Sequence, residues 1–346
     1  MIAQSHILRA SRALHQSRIL RNDKNLNPAT PQLAPVNPFL NPPASTRPPP
    51  LQPVEPQPST VKYYFQLGKS YVKFFTQGVK AVVTNAKLLN AKVKSLPRAE
   101  RPTIFKPRYV PDSFSRADWV LLWRNRHDLV RLPVFALFFM VAGEFTPLLV
   151  VFVSGILPFT CRFPSLMKDI LEKAERRRAA AFNDLESKYS EGAFSPQITK
   201  AVARQHILRT LDLSGAMWDR LGFTPPGLWN IKGKLRLSYL EVDDKRLLDG
   251  GGPSGLEVEE LRIACAERGL NVLGKSEGEL RRRLGDWLRL TAAEEPGERR
   301  RRIATLLLTR CVFPWLGYSD VQLTFDSCRP ENWPQQGNFT VPEWQL

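Results

Sequence analysis

The chain has 346 residues and a formal net charge of +17, with 50 Lys and Arg against 33 Asp and Glu. Its four cysteines form no C-x-x-C pair, which argues against both a disulfide framework and a zinc site. Of the four histidines, only His127 and His206 lie outside the N-terminal segment, and neither stands in a catalytic or metal-binding motif. The sequence therefore predicts that the protein is not an enzyme and uses no metal or cofactor.

The positive charge is concentrated in the first third of the chain. Residues 1–131 contain 21 basic and 6 acidic residues, a net charge of +15, whereas the remaining residues contain 29 and 27. Such an excess indicates an acidic partner, which can be RNA, anionic lipid or a negatively charged protein surface.

The N-terminal segments predict targeting and spacing rather than a folded core. Residues 1–27 intersperse arginines with apolar residues and serine, without an acidic residue before Asp23, which is typical of a mitochondrial transit peptide. The alternative is a disordered basic tail. Residues 28–60 are rich in proline and predict a linker that acts as a spacer. Both predictions imply a disordered N terminus.

A basic amphipathic helical region follows over residues 61–130. Aromatic and apolar residues alternate with lysines from residue 61 to 96, and no acidic residue occurs between Glu55 and Glu100. This helix either lies on an anionic membrane surface or packs on its own domain, and the sequence leaves both readings open. Ser115 and Asp118 then form a capping box that predicts the start of a further helix.

Residues 131–161 predict a single transmembrane segment. The stretch from Leu132 to Cys161 contains one charged residue, Glu144. A straight helix of this length measures about 45 Å, against a bilayer core of about 30 Å. Three prolines, at positions 133, 147 and 158, therefore predict a helix that is kinked or tilted and has irregular ends.

Glu144 is the candidate for proton or ion handling. A carboxylate near the middle of a membrane span costs several kcal/mol if it faces lipid in its ionised form. It should therefore face protein or water, or carry a proton; a hydrogen-bonded packing residue is the equal alternative. Because one span cannot enclose an ion pathway, cation/proton exchange through Glu144 would require a homo-oligomer.

Residues 162–310 predict an all-α domain, followed by a C-terminal tail over residues 311–346. Capping signals are expected at Ser195-Pro196, at Ser254 with Glu257, and at Ser276 with Glu279, and Gly269 is placed for a left-handed helix end. The helices are expected at Leu166 to Lys188, from Ser195 to Leu213, around Trp218, at Leu235–Leu240, at Val258–Glu267, from Leu280 to Leu288, and from Pro296 to about Thr309.

The residues from Gly269 to Ser276 match the phosphate-loop pattern G-x-x-x-x-G-K-[ST]. That loop needs a buried strand before it, so that its backbone N–H groups can cradle phosphates at a helix N terminus. Here a charged predicted helix precedes it, and nucleotide binding is therefore not expected.

Three arginine runs are the candidates for binding RNA. Arginine suits phosphate because its guanidinium group donates two parallel hydrogen bonds. Runs that converge on one face would form an RNA-binding patch, whereas each run alone is compatible with a solvated helix face. The runs are Arg176, Arg177 and Arg178; Arg281, Arg282 and Arg283; and Arg299, Arg300, Arg301 and Arg302.

Two groups of residues resemble the leucine-zipper and EF-hand transmembrane protein family of the mitochondrial inner membrane. The first group flanks the predicted span: Asp128-Leu129-Val130-Arg131-Leu132-Pro133, Glu144-Phe145-Thr146-Pro147-Leu148 and Leu157-Pro158. The second group is Asp243-Asp244, Gly250, Leu256, Glu259-Glu260-Leu261, Cys265, Arg268-Gly269, and the run Leu280, Leu284 and Trp287-Leu288.

The resemblance implies an inner-membrane protein with a matrix domain of 14-3-3-like helical fold. It implies mitochondrial ribosomes and inner-membrane lipid as partners, and roles in membrane-protein biogenesis and in ion and volume homeostasis. The sequence has no D-x-[DN]-x-[DN]-G calcium loop, so EF-hand calcium sensing is not expected. The basic excess before the span favours the opposite membrane orientation, with the N-terminal side in the matrix.

Overall fold

The computed structural model describes residues 36–54, 59–102, 109–142, 154–189 and 197–309. The predicted transit peptide and C-terminal tail lie outside these ranges. Within them the chain is helical and contains no strand, which confirms the all-α prediction for this part. The helices are α1 (Thr60–Lys94), α2 (Arg116–Ala142), α3 (Pro164–Lys188), α4 (Lys200–Thr210), α5 (Ala216–Leu221), α6 (Lys234–Asp249), α7 (Val258–Glu267), α8 (Glu277–Thr291) and α9 (Pro296–Leu308).

The described residues fall into two compact units. The first unit contains Pro42–Pro97 and Val120–Asp169, and the second contains Pro35–Asn41, Arg98–Trp119 and the residues from Ile170 onward.

The predicted span from Leu132 to Cys161 is not α-helical throughout, and its far end is irregular, as the prolines predict. The helix α2 ends at Ala142, and the far end of the predicted span forms two short 3₁₀ turns, Ser154–Ile156 and Phe159–Cys161. Pro158 adopts an extended conformation before the second turn, and Asp128 accepts a hydrogen bond from the backbone N–H of Phe159 at 2.7 Å. Residues 143–153 lie outside the described residues. Among the helices that are described, none has the length and apolarity to cross a membrane.

One face of α1 forms the core of the first unit. Its buried residues are Phe74, Phe75, Gly78, Val82, Asn85 and Leu89, which repeat at helical spacing. The Phe75 ring lies 5.8 Å from the ring of Phe135 on α2, and the Tyr71 ring lies 5.5 Å from that of Phe163. The sequence allowed this basic helix either to lie on a membrane or to pack on its own domain. The buried face of α1 packs on its own domain.

Gly78 lets α1 approach the turn Phe159–Cys161 closely. A Cβ atom at this position would lie 2.8 Å from the Cys161 Sγ and 2.8 Å from the Thr160 carbonyl oxygen. The Thr160 hydroxyl also donates to the Gly78 carbonyl at 3.0 Å. A side chain at position 78 would therefore force the turn away from the helix.

Gly78→Ala is expected to lower the free energy of unfolding by about 1–3 kcal/mol, because the added methyl overpacks this contact. Gly68→Ala is the matched control, since it changes the same helix at a position where a Cβ meets nothing within 4 Å. The control should be neutral or stabilising by up to about 1 kcal/mol. Chemical denaturation of both variants measures the difference, and equal midpoints would contradict the close approach.

The second unit is built from amphipathic helices with well-defined ends. The core of α8 consists of Leu280, Leu284, Trp287 and Leu288, and α8 packs against α7, while α9 packs against α4 and α6. Ser276 caps α8 by accepting from the backbone N–H of Glu279, as predicted. Gly269 follows α7 with a φ of +78°, which confirms the predicted left-handed position.

One predicted cap and one predicted helix start are wrong, although α7 begins at Val258 as predicted. The helix α7 is not capped by Ser254, whose hydroxyl instead donates to the Gly251 carbonyl within a 3₁₀ turn. The N–H of Glu257, the N-cap residue of α7, donates to the Asn41 Oδ1 at 2.8 Å. The helix α4 begins at Lys200 with Thr199 as its cap, and Ser195-Pro196 lies outside the described residues.

A short stretch inside the proline-rich segment, Pro35–Asn41, is part of the second unit and not a free spacer. Leu40 is 1% exposed, and its carbonyl accepts a hydrogen bond from Arg116. The Asn41 amide donates to the Gly255 carbonyl at 2.8 Å. Burial of Leu40 and the bonds of Asn41 therefore fix this short segment on the domain.

His206 on α4 is buried and neutral. Its side chain lies against Phe182 of α3, with 4.8 Å between the ring centroids. Burial lowers the pKa of His206 from 6.5 to about 4, and the nearby charge of Arg209 adds to this effect. Between these two pH values the unfolded chain binds a proton that the folded chain does not.

Acidification from pH 7 to pH 5 is therefore expected to remove about 2 kcal/mol of stability through His206. Comparison of the pH dependence of urea unfolding in the wild type and in His206→Gln isolates this contribution, because the variant lacks the titrating ring. An identical pH dependence of the two proteins would show that the pKa of His206 is the same in the folded and the unfolded chain.

Candidate functional site

Two adjacent carboxylates, Asp243 and Asp244, lie fully buried in the middle of α6. The Asp243 carboxylate faces two arginines: Arg116 Nε lies 2.9 Å from Oδ1, and Arg268 Nη2 donates to Oδ2 at 2.7 Å. Arg268 also donates from Nε to Asp244 Oδ1 at 2.8 Å. Both arginines are at most 2% exposed, so the charges of this cluster neutralise one another inside the second unit.

The helix α8 completes this buried cluster. The indole N–H of Trp287 donates to Asp244 Oδ2 at 2.9 Å, and the Thr291 hydroxyl donates to the same oxygen at 3.2 Å. Arg268 gives a further hydrogen bond to the Ala264 carbonyl at 2.9 Å. The first residue of α2, the middle of α6, the end of α7 and α8 are therefore joined through two carboxylates.

The pKa values of the two acids move in opposite directions. Burial raises the pKa of Asp243, but the charges of Arg116 and Arg268 outweigh it and hold the pKa below the usual range. Burial dominates for Asp244, whose pKa is raised despite Arg268 and the bond from Trp287. Burial lowers the pKa of Arg268, but both aspartates together raise it above its ordinary value. Arg268 is therefore the fixed positive charge of the cluster.

Four residues of the cluster, Asp243, Asp244, Arg268 and Trp287, belong to the second group of the sequence resemblance. Residues 229–313 match the family model described as "LETM1-like, RBD", where RBD denotes a ribosome-binding domain. The chain carries a LETM1-like domain. The match covers α6 to α9 and therefore contains Asp243, Asp244, Arg268 and Trp287. The resemblance to the leucine-zipper and EF-hand transmembrane family is confirmed by this match.

The LETM1-like family is associated with the mitochondrial inner membrane and is not a known enzyme family. No solved structure matches the chain.

The first arginine run is mostly used inside the second unit. Arg177 binds Asp219 on α5 with an Nε–Oδ2 distance of 2.8 Å, and Arg178 donates to the Thr210 carbonyl at the end of α4 at 3.0 Å. The Arg176 side chain is 74% exposed and lies 3.7 Å from Glu172. Of this run, Arg176 is the residue that faces solvent.

The second run divides in the same way. Arg281 donates to the Leu256 carbonyl at 2.9 Å and to Glu277, and it thereby holds the loop before α7. Arg283 is buried and donates to Glu279 at 2.6 Å. Its charge also acts on the pKa of Glu175, which burial raises and which Arg178 and Arg283 lower in part. Arg282, between these two residues, is exposed.

The third run lies in the first two turns of α9, and its arginines bind nearby carbonyls and acids. Arg299 donates to the Ala293 carbonyl at 2.6 Å, and Arg302 donates to Glu298 at 3.0 Å. Arg300 binds Glu241 on α6 at 2.9 Å. Arg301 lies 3.4 Å from Glu298 and is partly exposed. The structure therefore brings Arg178 and Arg283 together around Glu175 and directs the third run to other partners.

The solvent face of α8 was not predicted as a surface of its own. It presents Gly278, Arg282, Gly285 and Arg289, which are spaced by four, three and four residues and so share one side of the helix. The Arg289 side chain is 60% exposed, and a Cβ atom at either glycine would meet nothing within 4 Å. We call these four residues the α8 outer face. The sequence feature that could have predicted this face is the pair of glycines, seven residues apart, among charged residues.

The segment from Gly269 to Ser276 joins two helices and does not follow a strand. The helix α7 precedes it, and Lys275 lies 3.3 Å from Glu279 within the first turn of α8. The context that phosphate binding requires is therefore missing from this described part of the chain.

Glu144 lies outside the described residues. Its role in proton or ion handling, and the cation/proton exchange that depends on it, stay predictions from the sequence.

Arg268→Met is expected to destabilise the second unit by about 3–5 kcal/mol, because it leaves two buried carboxylates without their shared partner. Arg176→Met removes the same charge from an exposed side chain and should change stability by less than about 0.5 kcal/mol. Thermal and urea unfolding of both variants provide the comparison. Similar stabilities would show that Asp243 and Asp244 are neutral in the folded protein.

Proposed function

We propose that the chain binds mitochondrial ribosomes through its second unit, at the inner membrane, and thereby supports membrane-protein biogenesis and ion and volume homeostasis. The observation that carries this proposal is the match of residues 229–313 to the LETM1-like ribosome-binding domain model. The buried cluster around Asp243 supports it, because its hydrogen bonds join α6, α7 and α8 of the matched region.

The α8 outer face is the surface that we assign to the ribosome. It lies within the matched region and exposes Arg282 and Arg289. The neighbouring Arg281 and Arg283 donate to Glu277 and Glu279 on their own helix, and Arg289 donates to Asp286 at 3.1 Å, so the assignment rests on the exposure of Arg282 and Arg289 to solvent. Arginine recognises phosphate through two parallel hydrogen bonds, and ribosomal RNA presents phosphates at high density.

The two glycines of this face also favour a large partner. Glycine in a helix interior, where Gly285 lies, costs up to about 1 kcal/mol relative to alanine, whereas Gly278 lies in the first turn of α8. Packing does not demand it here, since alanine would fit at both Gly278 and Gly285. Without side chains at these positions, a bulky ligand can approach the helix backbone between the arginines. The face therefore combines two phosphate-binding groups with room for close contact.

The double variant Arg282→Gln/Arg289→Gln is expected to weaken co-sedimentation of the full chain with mitochondrial ribosomes. Each lost phosphate contact should also reduce the slope of log affinity against log salt by about 1. Because both side chains are solvent-exposed, the melting temperature should change little.

The matched control is Lys188→Gln/Lys200→Gln, which removes two exposed charges from α3 and α4. Equal loss of ribosome binding in both double variants would assign the effect to net charge and not to the α8 outer face. If the arginine variant bound ribosomes as well as the wild type does, the α8 outer face would not be the ribosome-binding surface.

A further inference from the structure

Six lysines of α1 form a single stripe along the first unit. They are Lys62, Lys69, Lys73, Lys80, Lys87 and Lys94, and every one is exposed. Their spacings are seven, four, seven, seven and seven residues. At 3.6 residues per turn these positions fall within about 60° of the helix circumference. We call this set the lysine stripe.

The lysine stripe lies on the side of α1 opposite its buried face. The buried residues, from Phe74 to Leu89, centre on a direction about 180° away from the lysines at 3.6 residues per turn. The apolar side is therefore occupied by the core of the first unit, and the lysine side points to solvent. From Lys62 to Lys94 the stripe is about 48 Å long.

The helix α1 supplies no acidic residue to pair with the stripe, although Lys94 at its end makes an interaction of its own. The helix α1 contains no acidic residue, and none occurs between Glu55 and Glu100. Lys73 donates to the Gln52 side chain at 3.1 Å, which leaves its charge intact. Six positive charges of one sign along a line repel one another, so the arrangement favours an extended anionic partner.

Exposed apolar side chains flank the lysines. Phe65 is 72% exposed and Val83 is 44% exposed, and both lie along one edge of the stripe. Leu88, 45% exposed, lies along the other edge. Apolar side chains beside lysine are suited to the boundary between lipid headgroups and acyl chains, where lysine stems and aromatic rings are accommodated.

We propose that the lysine stripe docks the first unit on the surface of a membrane that contains anionic phospholipid. A straight helix presents all six ammonium groups to a flat surface at once. The stripe contains lysine and no arginine, and thus lacks the planar groups that stack on bases or grip single phosphates in RNA. The apolar flanks add contacts that a lipid interface can take up.

The test is flotation of the full chain with vesicles of phosphatidylcholine alone or mixed with phosphatidylglycerol. The variant Lys62→Gln/Lys69→Gln/Lys80→Gln/Lys87→Gln is compared with a control that removes four exposed lysines of the second unit, Lys188, Lys200, Lys232 and Lys245, in the same way. Each lysine near an anionic surface contributes about fivefold in affinity, so the stripe variant should lose on the order of several hundredfold. The control should keep wild-type binding to the anionic vesicles, and added salt should abolish the difference.

Amine-reactive labelling read by mass spectrometry tests the same contact even if another segment also holds the chain on vesicles. Lys62, Lys69, Lys80 and Lys87 should be protected on anionic vesicles and not on neutral ones, while the control lysines react equally on both. Equal labelling of the stripe on both vesicle types would overturn the proposal. So would a stripe variant that retains vesicle binding but loses binding to a homopolymeric RNA, since this would assign the stripe to nucleic acid.

Discussion

The second unit depends on the burial of two carboxylates that must share their positive partners. Asp243 and Asp244 are both inaccessible to solvent, and among the described residues Arg116 and Arg268 are the ones whose guanidinium groups pair with them. An isolated buried charge costs several kcal/mol, so each partner becomes obligatory once the others are in place. The cluster therefore fixes how α6, α7 and α8 meet, although an apolar core of equal volume can be just as stable.

This constraint explains why arginine in the second unit has two separate uses. Some guanidinium groups are buried and bind inside the unit. Arg178 donates to the carbonyl of Thr210 at the end of α4, which has no partner within that helix, and Arg283 donates to the carboxylate of Glu279. Exposed groups such as Arg282 and Arg289 remain on the α8 outer face. Adjacent residues of one run belong to different classes because a helix turns by about 100° per residue. Arginines that are adjacent in sequence therefore do not lie on one surface, whereas arginines on the same face of a helix do.

Local signals in the sequence predicted local structure well. Ser276 with Glu279, Gly269 and Pro296 each mark a helix boundary that the structure contains, because the groups involved lie within a few residues of each other. Ser254 failed as a cap because the N–H of Glu257 is satisfied by Asn41, 216 residues away in sequence. A hydrogen bond between residues so far apart in sequence produces no local pattern from which it could be predicted.

The same limit applies to the candidate sites. Asp243 and Asp244 stand among leucines on the buried side of α6, which marks them as unusual core residues, but the sequence does not name Arg116 and Arg268 as their partners. For a related reason, the sequence does not show that the far end of the predicted membrane span packs within the first unit. Apolar residues such as Leu157 and Cys161 are buried in the first unit, and apolarity alone does not distinguish a protein core from lipid.

The distribution of charge suggests that the two units have different partners. In the second unit, arginines are matched by nearby acids, as the bonds of Arg177, Arg281 and Arg300 show. In the first unit, α1 contributes seven lysines and no acid, so a large part of the net charge of the protein lies on this one helix. An unbalanced line of charge attracts any polyanion at long range, but only a partner that also accommodates Phe65 and Val83 gains from their exposure. A lipid surface meets both conditions, and this is the reason to separate the lysine stripe from the arginines that we assign to ribosome binding.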